Sequence, residues 1–100
     1  MRLCCVTGMV ISTVKDPGMI GLKLLVLEDC DLTGRGKGTY HVAVDAVGAG
    51  SGEVVLSAAG SSARQTKATA DRPVDAVVMA IVDLVESAGG VTYRKGDEQP

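Results

Sequence analysis

Val47-Gly48-Ala49-Gly50-Ser51-Gly52-Glu53 leads directly into the apolar run Val54-Val55-Leu56, and four residues later comes a second small-residue segment, Gly60-Ser61-Ser62-Ala63-Arg64. A glycine loop that feeds a strand differs from a dinucleotide-binding fingerprint, which needs a helix directly after the glycines. The two segments therefore read as tight turns or subunit contacts, where missing side chains let backbones approach closely. A chain organised around them is one of short strands and abrupt turns.

Working back from this stretch, Tyr40, Val42, Val44 and Ala46 alternate with His41, Ala43 and Asp45, the period-two pattern of a strand. Residues 31–38, with three glycines and two basic residues, read as an exposed loop before it. Lys23 to Leu27 forms an earlier strand, and Asp16-Pro17-Gly18 breaks the chain ahead of that. The first segment, Leu3 to Val14, carries apolar residues on both parities of its first half. Such a strand is covered on both faces, and in a domain this small one cover is expected from another subunit.

Working forward, Glu53 to Ala58 is a fourth strand and Ser61 to Thr69 holds a helical turn with Ser61 or Ser62 as N-cap. Ala76 to Val85 is almost continuously apolar, and its valines and isoleucine favour a strand. Gly89-Gly90 turns the chain into a short last strand, Val91-Thr92-Tyr93. Arg94 onwards reads as a polar tail, with the domain body drawn over residues 1–95 and a mobile terminus over 96–100. Five or six short strands with little helix predict a mainly β domain, a small closed β-barrel, because closure removes exposed edges.

Composition narrows the function classes. One hundred residues make one domain, and 46% of them are apolar, with no Phe or Trp and only Tyr40 and Tyr93 as aromatics. A net charge of −2 and two rings provide neither a basic field nor stacking platforms, so nucleic acid is not an expected partner. No run is long enough for a membrane span and no secretory leader is recognisable, which predicts a soluble protein kept inside the cell. Cys4, Cys5 and Cys30 have no CxxC spacing, and the one histidine, His41, is remote in sequence, so they read as reduced, small apolar residues. On a strand, Cys4 and Cys5 must face opposite ways.

The order of these motifs resembles the bacterial microcompartment vertex proteins, the EutN/CcmL family. The resemblance runs through Val6-Thr7-Gly8 with Val10 and Ser12-Thr13, Gly21 with Lys23-Leu24-Leu25, Val44-Asp45, and Val47-Gly48-Ala49-Gly50. It continues through Gly52-Glu53 with Val55-Leu56, Gly60-Ser61-Ser62-Ala63-Arg64-Gln65, Pro73-Val74-Asp75 and Ile81-Val82-Asp83. It implies an OB-fold-like barrel assembled into a cyclic homopentamer at the fivefold vertices of a shell in the bacterial cytoplasm. Hexameric shell proteins are the implied partners. Cys4-Cys5, the glycines of residues 34–38 and Asp97-Glu98 depart from the usual pattern and leave the shell type open.

No catalytic residue, cofactor or metal ligand is assigned. Candidates for subunit interfaces or the ring axis are Gly48, Ala49, Gly50, Gly52, Glu53, Gly60, Ser61, Ser62, Ala63, Arg64 and Asp83. Arg64 reads either as an ion-pair partner across an interface, with Glu53 and Asp83 as its natural candidates, or as a solvated side chain, and a surface pair contributes only about 0–1 kcal/mol. Glu28, Asp29 and Asp31 lack calcium-loop spacing and are expected to end a strand in solvent. A hydrolase built from Ser61 or Ser62 with His41 and Asp45 would need a geometry that spacing alone does not supply. The alternative function is an OB-like binding module for a small or polymeric ligand.

Overall fold

A computed structural model describes residues 1–96. The chain runs β1 (Arg2–Val10), a 3₁₀ turn (Pro17–Met19), β2 (Leu24–Cys30), β3 (Gly36–Asp45), β4 (Val54–Ala59), a second 3₁₀ turn (Gly60–Arg64), β5 (Ala76–Ile81), β6 (Leu84–Ser87) and β7 (Gly90–Arg94). The first five strands close into a barrel in the order β1-β2-β3-β5-β4, and β6 and β7 form a separate hairpin. Closure between β3 and β5 rests on a short parallel pairing, Val44 opposite Val77 and Asp45 opposite Val78; the other barrel pairs are antiparallel. Register shifts between Val6 and Gly8 and between Leu56 and Ser57 supply the bends a small barrel needs.

Alternation fills the interior. Cys4 and Val6 of β1, Leu25 and Leu27 of β2, Ala43 of β3, Val55 of β4 and Ala76 and Val78 of β5 form one buried cluster, with Ala49 from the glycine loop joining it. The outer faces are covered in two places by the chain itself. Residues on the connection to β5, Ala63 and Val74, pack with Val44, Ala58 and Val77, while Tyr93 of the hairpin packs with Cys30 and Val54, flanked by Leu3. The second face of β1 is thus covered at Leu3 by the chain's own hairpin, and stays open at Met9, which is 55% exposed.

Several sequence expectations need correction. β1 ends at Val10, whose partner Leu24 is the first residue of β2, so nothing remains for 11–14 to pair with, and Ile11 and Val14 are exposed. β2 continues to Cys30 because Glu28 and Asp29 stay in the ladder with Cys5 and Cys4. The loop before β3 is shorter than residues 31–38: Asp31 Oδ1 accepts the N–H groups of Thr33 and Arg35 at 2.8 and 3.1 Å, and Gly34 at φ +84° completes the turn. Gly36 and Gly38 lie in β3, beneath the Glu28 side chain, whose carboxylate accepts Gly38 N–H at 2.9 Å and stands where a Cβ on Gly36 would be.

The apolar run 76–85 is split between β5 and β6, since Val82 N–H turns away to Val54 C=O at 2.8 Å. Neither serine caps the second 3₁₀ turn; Ala59 is the cap residue, and Gly60 N–H is held by Asp75 C=O at 2.8 Å. Arg94 belongs to β7, and Lys95 N–H donates to Asp83 C=O at 2.8 Å, so neither is tail. Of the proposed terminus 96–100, all but Gly96 lies outside the described residues.

Candidate assembly surface

Asp45, at the end of β3, builds the glycine loop. Its Oδ1 accepts backbone N–H groups from Val47, Gly48 and Ala49 at 3.1, 3.0 and 3.2 Å, and its side chain is 2% exposed with Oδ2 3.8 Å from Lys23 Nζ. Gly48 and Gly52 sit at φ +80° and +86°, where a side chain would strain the backbone. Gly52 N–H donates to Val6 C=O at 2.8 Å, and Gly50 N–H donates to Glu53. The amides that a phosphate would need are thus already taken by the chain's own carboxylates and carbonyls. The loop is a rigid, side-chain-poor rim on the barrel.

Glu53 closes this rim through Lys95, with Nζ 2.7 Å from Oε2. Within the subunit Arg64 Nη1 donates to Val74 C=O at 3.1 Å, while Lys95 meets the Glu53 carboxylate through Nζ and the Asp83 carbonyl through its backbone N–H. Ser61, Ser62 and Gly60 are exposed on the second 3₁₀ turn, anchored by the fully buried Ala63. Because β4 separates the two loops and rises about 3.3 Å per residue, they lie roughly 20 Å apart, at opposite ends of that strand. Glu53 and Asp83 gather with the glycine loop; Gly60 to Arg64 does not.

The Lys95 ammonium, and then Gly50 N–H, hold the Glu53 carboxyl below the usual carboxylate range, and the same pair raises Lys95. A depressed carboxyl contributes stability above its unfolded value and loses it as pH falls through the folded one; a raised amine loses its share only as pH rises through its folded value. The pair is therefore intact around neutral pH. Glu53→Gln is expected to flatten the acid limb of stability, read as urea midpoints from neutral to acidic pH. An unchanged acid limb would remove Glu53 from this role.

Sequence reasoning missed two features. Tyr40 and Val42 project from the outer face of β3, 60% and 46% exposed, although apolar alternation alone gave no inside or outside. Cys4 and His41, remote in sequence, meet at one end of the barrel together with Asp29. There Arg2 Nε lies 3.3 Å from Asp29 Oδ1 and Arg2 Nη2 donates to His41 Nδ1 at 3.1 Å, while Thr39 Oγ1 donates to Asp29 Oδ2 at 2.8 Å. Glu28 and Asp29 are thereby structural partners within the sheet rather than a solvent-facing strand end. Burial and the Asp29 contact push the Cys4 thiol up to about 12, and burial followed by Arg2 lowers His41. Cys4 and Cys5 do face opposite ways, the first buried, the second half-buried.

The imagined hydrolase set is not assembled. His41 Nε2 lies 3.5 Å from Ser57 Oγ, Ser57 is buried at 3% exposure, and the Asp45 carboxylate is engaged by the loop. Among the described residues, no helix is long and apolar enough to cross a membrane.

Comparison with known proteins agrees with this geometry. Residues 1–83 match the profile of the family described as "Ethanolamine utilisation protein EutN/carboxysome". The chain is 46% identical over 98 residues to the carboxysome shell vertex protein CcmL of Synechocystis sp., covering 98% of each. It superposes on the structure of Gloeobacter violaceus CcmL with a TM-score of 0.91 at 44% identity, covering 97% of this chain and 100% of that one. The GrpN pentameric microcompartment shell protein from Rhodospirillum rubrum gives a TM-score of 0.80 at 43% identity, covering 88% and 100%.

Proposed function

The chain belongs to the EutN/CcmL family, and from that membership we infer that it is a structural protein of a bacterial microcompartment shell, forming homopentamers that cap the fivefold vertices. The observation that carries this reading is the coincidence, over nearly the whole chain, of sequence and barrel with a shell vertex protein. The protein resides in the shell, within the cytoplasm.

The finer assignments follow from physical chemistry. Head-to-tail contacts close into a ring when each subunit carries two different complementary surfaces. Tyr40 and Val42 on the outer face of β3 supply an apolar patch for one of them. Covering the exposed half of such a side chain contributes roughly half of the about 1.5–3 kcal/mol of a full burial, against about 0–1 kcal/mol for an exposed ion pair. Apolar contact is therefore assigned the larger share at this surface.

The glycine loop, with Glu53 and Asp83, and the exposed Gly60 to Arg64 turn, at opposite ends of β4, provide two further close-contact surfaces. One faces neighbouring subunits and the other the ring axis or adjoining hexameric shell proteins. The role assigned is non-catalytic, as for the structural shell vertex proteins that the chain resembles over nearly its whole length. The binding-module alternative gains no support, because one of the two aromatic rings, Tyr93, is 7% exposed and only Tyr40 remains to stack.

Native mass spectrometry of the full chain at low micromolar concentration is expected to show a pentamer; a monomer would overturn the vertex role. Ser62→Trp is the cleaner probe of the loops. Ser62 is exposed beside Met1, Gln65 and Met79, whereas a side chain at Gly50 would first meet Glu53 Oε1, 3.3 Å from its Cβ. Ser62→Trp and Val42→Asp should weaken the ring more than the folded subunit. Intact rings with unchanged melting in both variants would remove these surfaces from the interface.

A further inference from the structure

Along the inward-facing rows of the barrel, apolar residues give way at one end to polar ones. Cys4 pairs directly with Asp29 across β1 and β2, and Asp29 lies two positions beyond Leu27, the partner of His41 on β3. All three side chains share the parity that elsewhere carries Val6, Leu25, Leu27 and Ala43. Cys4 Sγ, an Asp29 carboxylate oxygen and a His41 ring nitrogen lie within 4.8 Å of one another. Three donors so placed, one on each of three adjacent strands, are near enough for side-chain rotation to bring them onto a single ion at ordinary ligand distances of about 2.0–2.3 Å.

Arg2 shows what this cluster attracts. Its guanidinium touches both the Asp29 carboxylate and His41 Nδ1, so a cation already bridges two of the three groups. The Arg2 side chain is 56% exposed, so water can hydrate its guanidinium once another cation takes its place. Beside it, a surface hollow lined by Arg2, Asp29, Lys37 and Thr39 reaches the Asp29 side of the cluster.

We propose that Cys4, Asp29 and His41 form a binding site for a borderline-soft divalent cation of the zinc class, with Arg2 as the internal cation that the metal displaces. Sulfur, nitrogen and carboxylate oxygen together suit zinc and cobalt(II), while magnesium and calcium prefer oxygen alone. Binding replaces the Cys4 S–H bond by a metal–sulfur bond, and the proton leaves to buffer. Thiolate and carboxylate then balance the double charge of the ion. Water completes the coordination, as at zinc sites with three protein ligands. Lys37, lining the same hollow, opposes the incoming charge and moderates affinity. The site ties β1, β2 and β3 together at one end of the barrel and is independent of the vertex role.

The test is cobalt(II) titration of the untagged, full-length assembled protein, followed by displacement with zinc. The expected result is one ion per chain, a thiolate-to-cobalt absorption band and one proton released per ion. Cys4→Ser should abolish the band, and His41→Gln should weaken binding by about tenfold or more, the size seen when even an outer-shell partner is lost. Cys5→Ser and Cys30→Ser should leave it intact. Arg2→Ala should tighten binding, since it removes the competing cation. If Cys4→Ser does not fold, His41→Gln and Arg2→Ala decide, because they move affinity in opposite directions. Absence of a thiolate band in both the wild type and Arg2→Ala, or binding indifferent to Cys4 and His41, would overturn the proposal.

Discussion

Replacing Asp45 by alanine is expected to destabilise the subunit by about 1–3 kcal/mol, the cost of leaving a buried amide donor without its charged acceptor. Three backbone N–H groups depend on its Oδ1, and they differ in what they can find instead. Val47 and Gly48 are exposed, so water takes over their N–H groups; Ala49 is 1% exposed, and its amide has no such replacement. Its methyl also belongs to the interior cluster, so a released loop opens the barrel end as well. Against a total stability of about 5–15 kcal/mol this is a large fraction. The corresponding fall in melting temperature is about 4–24 °C at roughly 4–8 °C per kcal/mol.

Lys23→Ala separates the causes. Lys23 Nζ lies 3.8 Å from Asp45 Oδ2 with half its side chain exposed, a pair of about 0–1 kcal/mol, so that variant should melt near the wild type. Asp45→Asn, which keeps an acceptor but loses the charge, should fall between. Thermal melts, with amide exchange over residues 47–50, read both effects. An Asp45→Ala protein within about 0.5 kcal/mol of wild type would place it among ordinary surface changes and refute the rim's dependence on this carboxylate.

The strands were legible in the sequence wherever alternation was local, as in β3 and β4, and the glycine loop announced itself by residues that only a left-handed or crowded backbone favours. What was hidden depends on partners distant in the chain. The boundary between β5 and β6 carries no glycine or proline, because Val82 is turned by a hydrogen bond to Val54 rather than by its own conformation. Gly36 and Gly38 suggested a loop, yet they lie in β3 because Glu28 folds over them. Lys95, placed at the edge of a tail, is the partner of Glu53 within the subunit. Cys4 and His41 meet only through the register of two strand pairs, a relation no spacing encodes. The outward direction of Tyr40 and Val42 likewise follows from barrel closure, since either parity of β3 is apolar enough to face inward.

Deleting the gene for this chain is expected to leave shells open or elongated while the other shell proteins still accumulate. The reason is geometric. Sixfold units tile a flat sheet, and a closed polyhedral surface of such units needs fivefold corners to introduce curvature. Corners are few relative to faces, so a minor component controls the shape of the whole, and its loss changes closure far more than mass. Electron microscopy of the compartments in the deletion strain reads this directly. Normally sized, fully closed shells, with no second vertex protein encoded nearby, would contradict the function. Complementation carries the argument to the subunit: the wild-type gene should restore closed shells, whereas Ser62→Trp, if it folds but does not form the ring, should not. Rescue by a variant shown to be monomeric would detach shell closure from the pentamer, because an isolated barrel has no fivefold axis to impose.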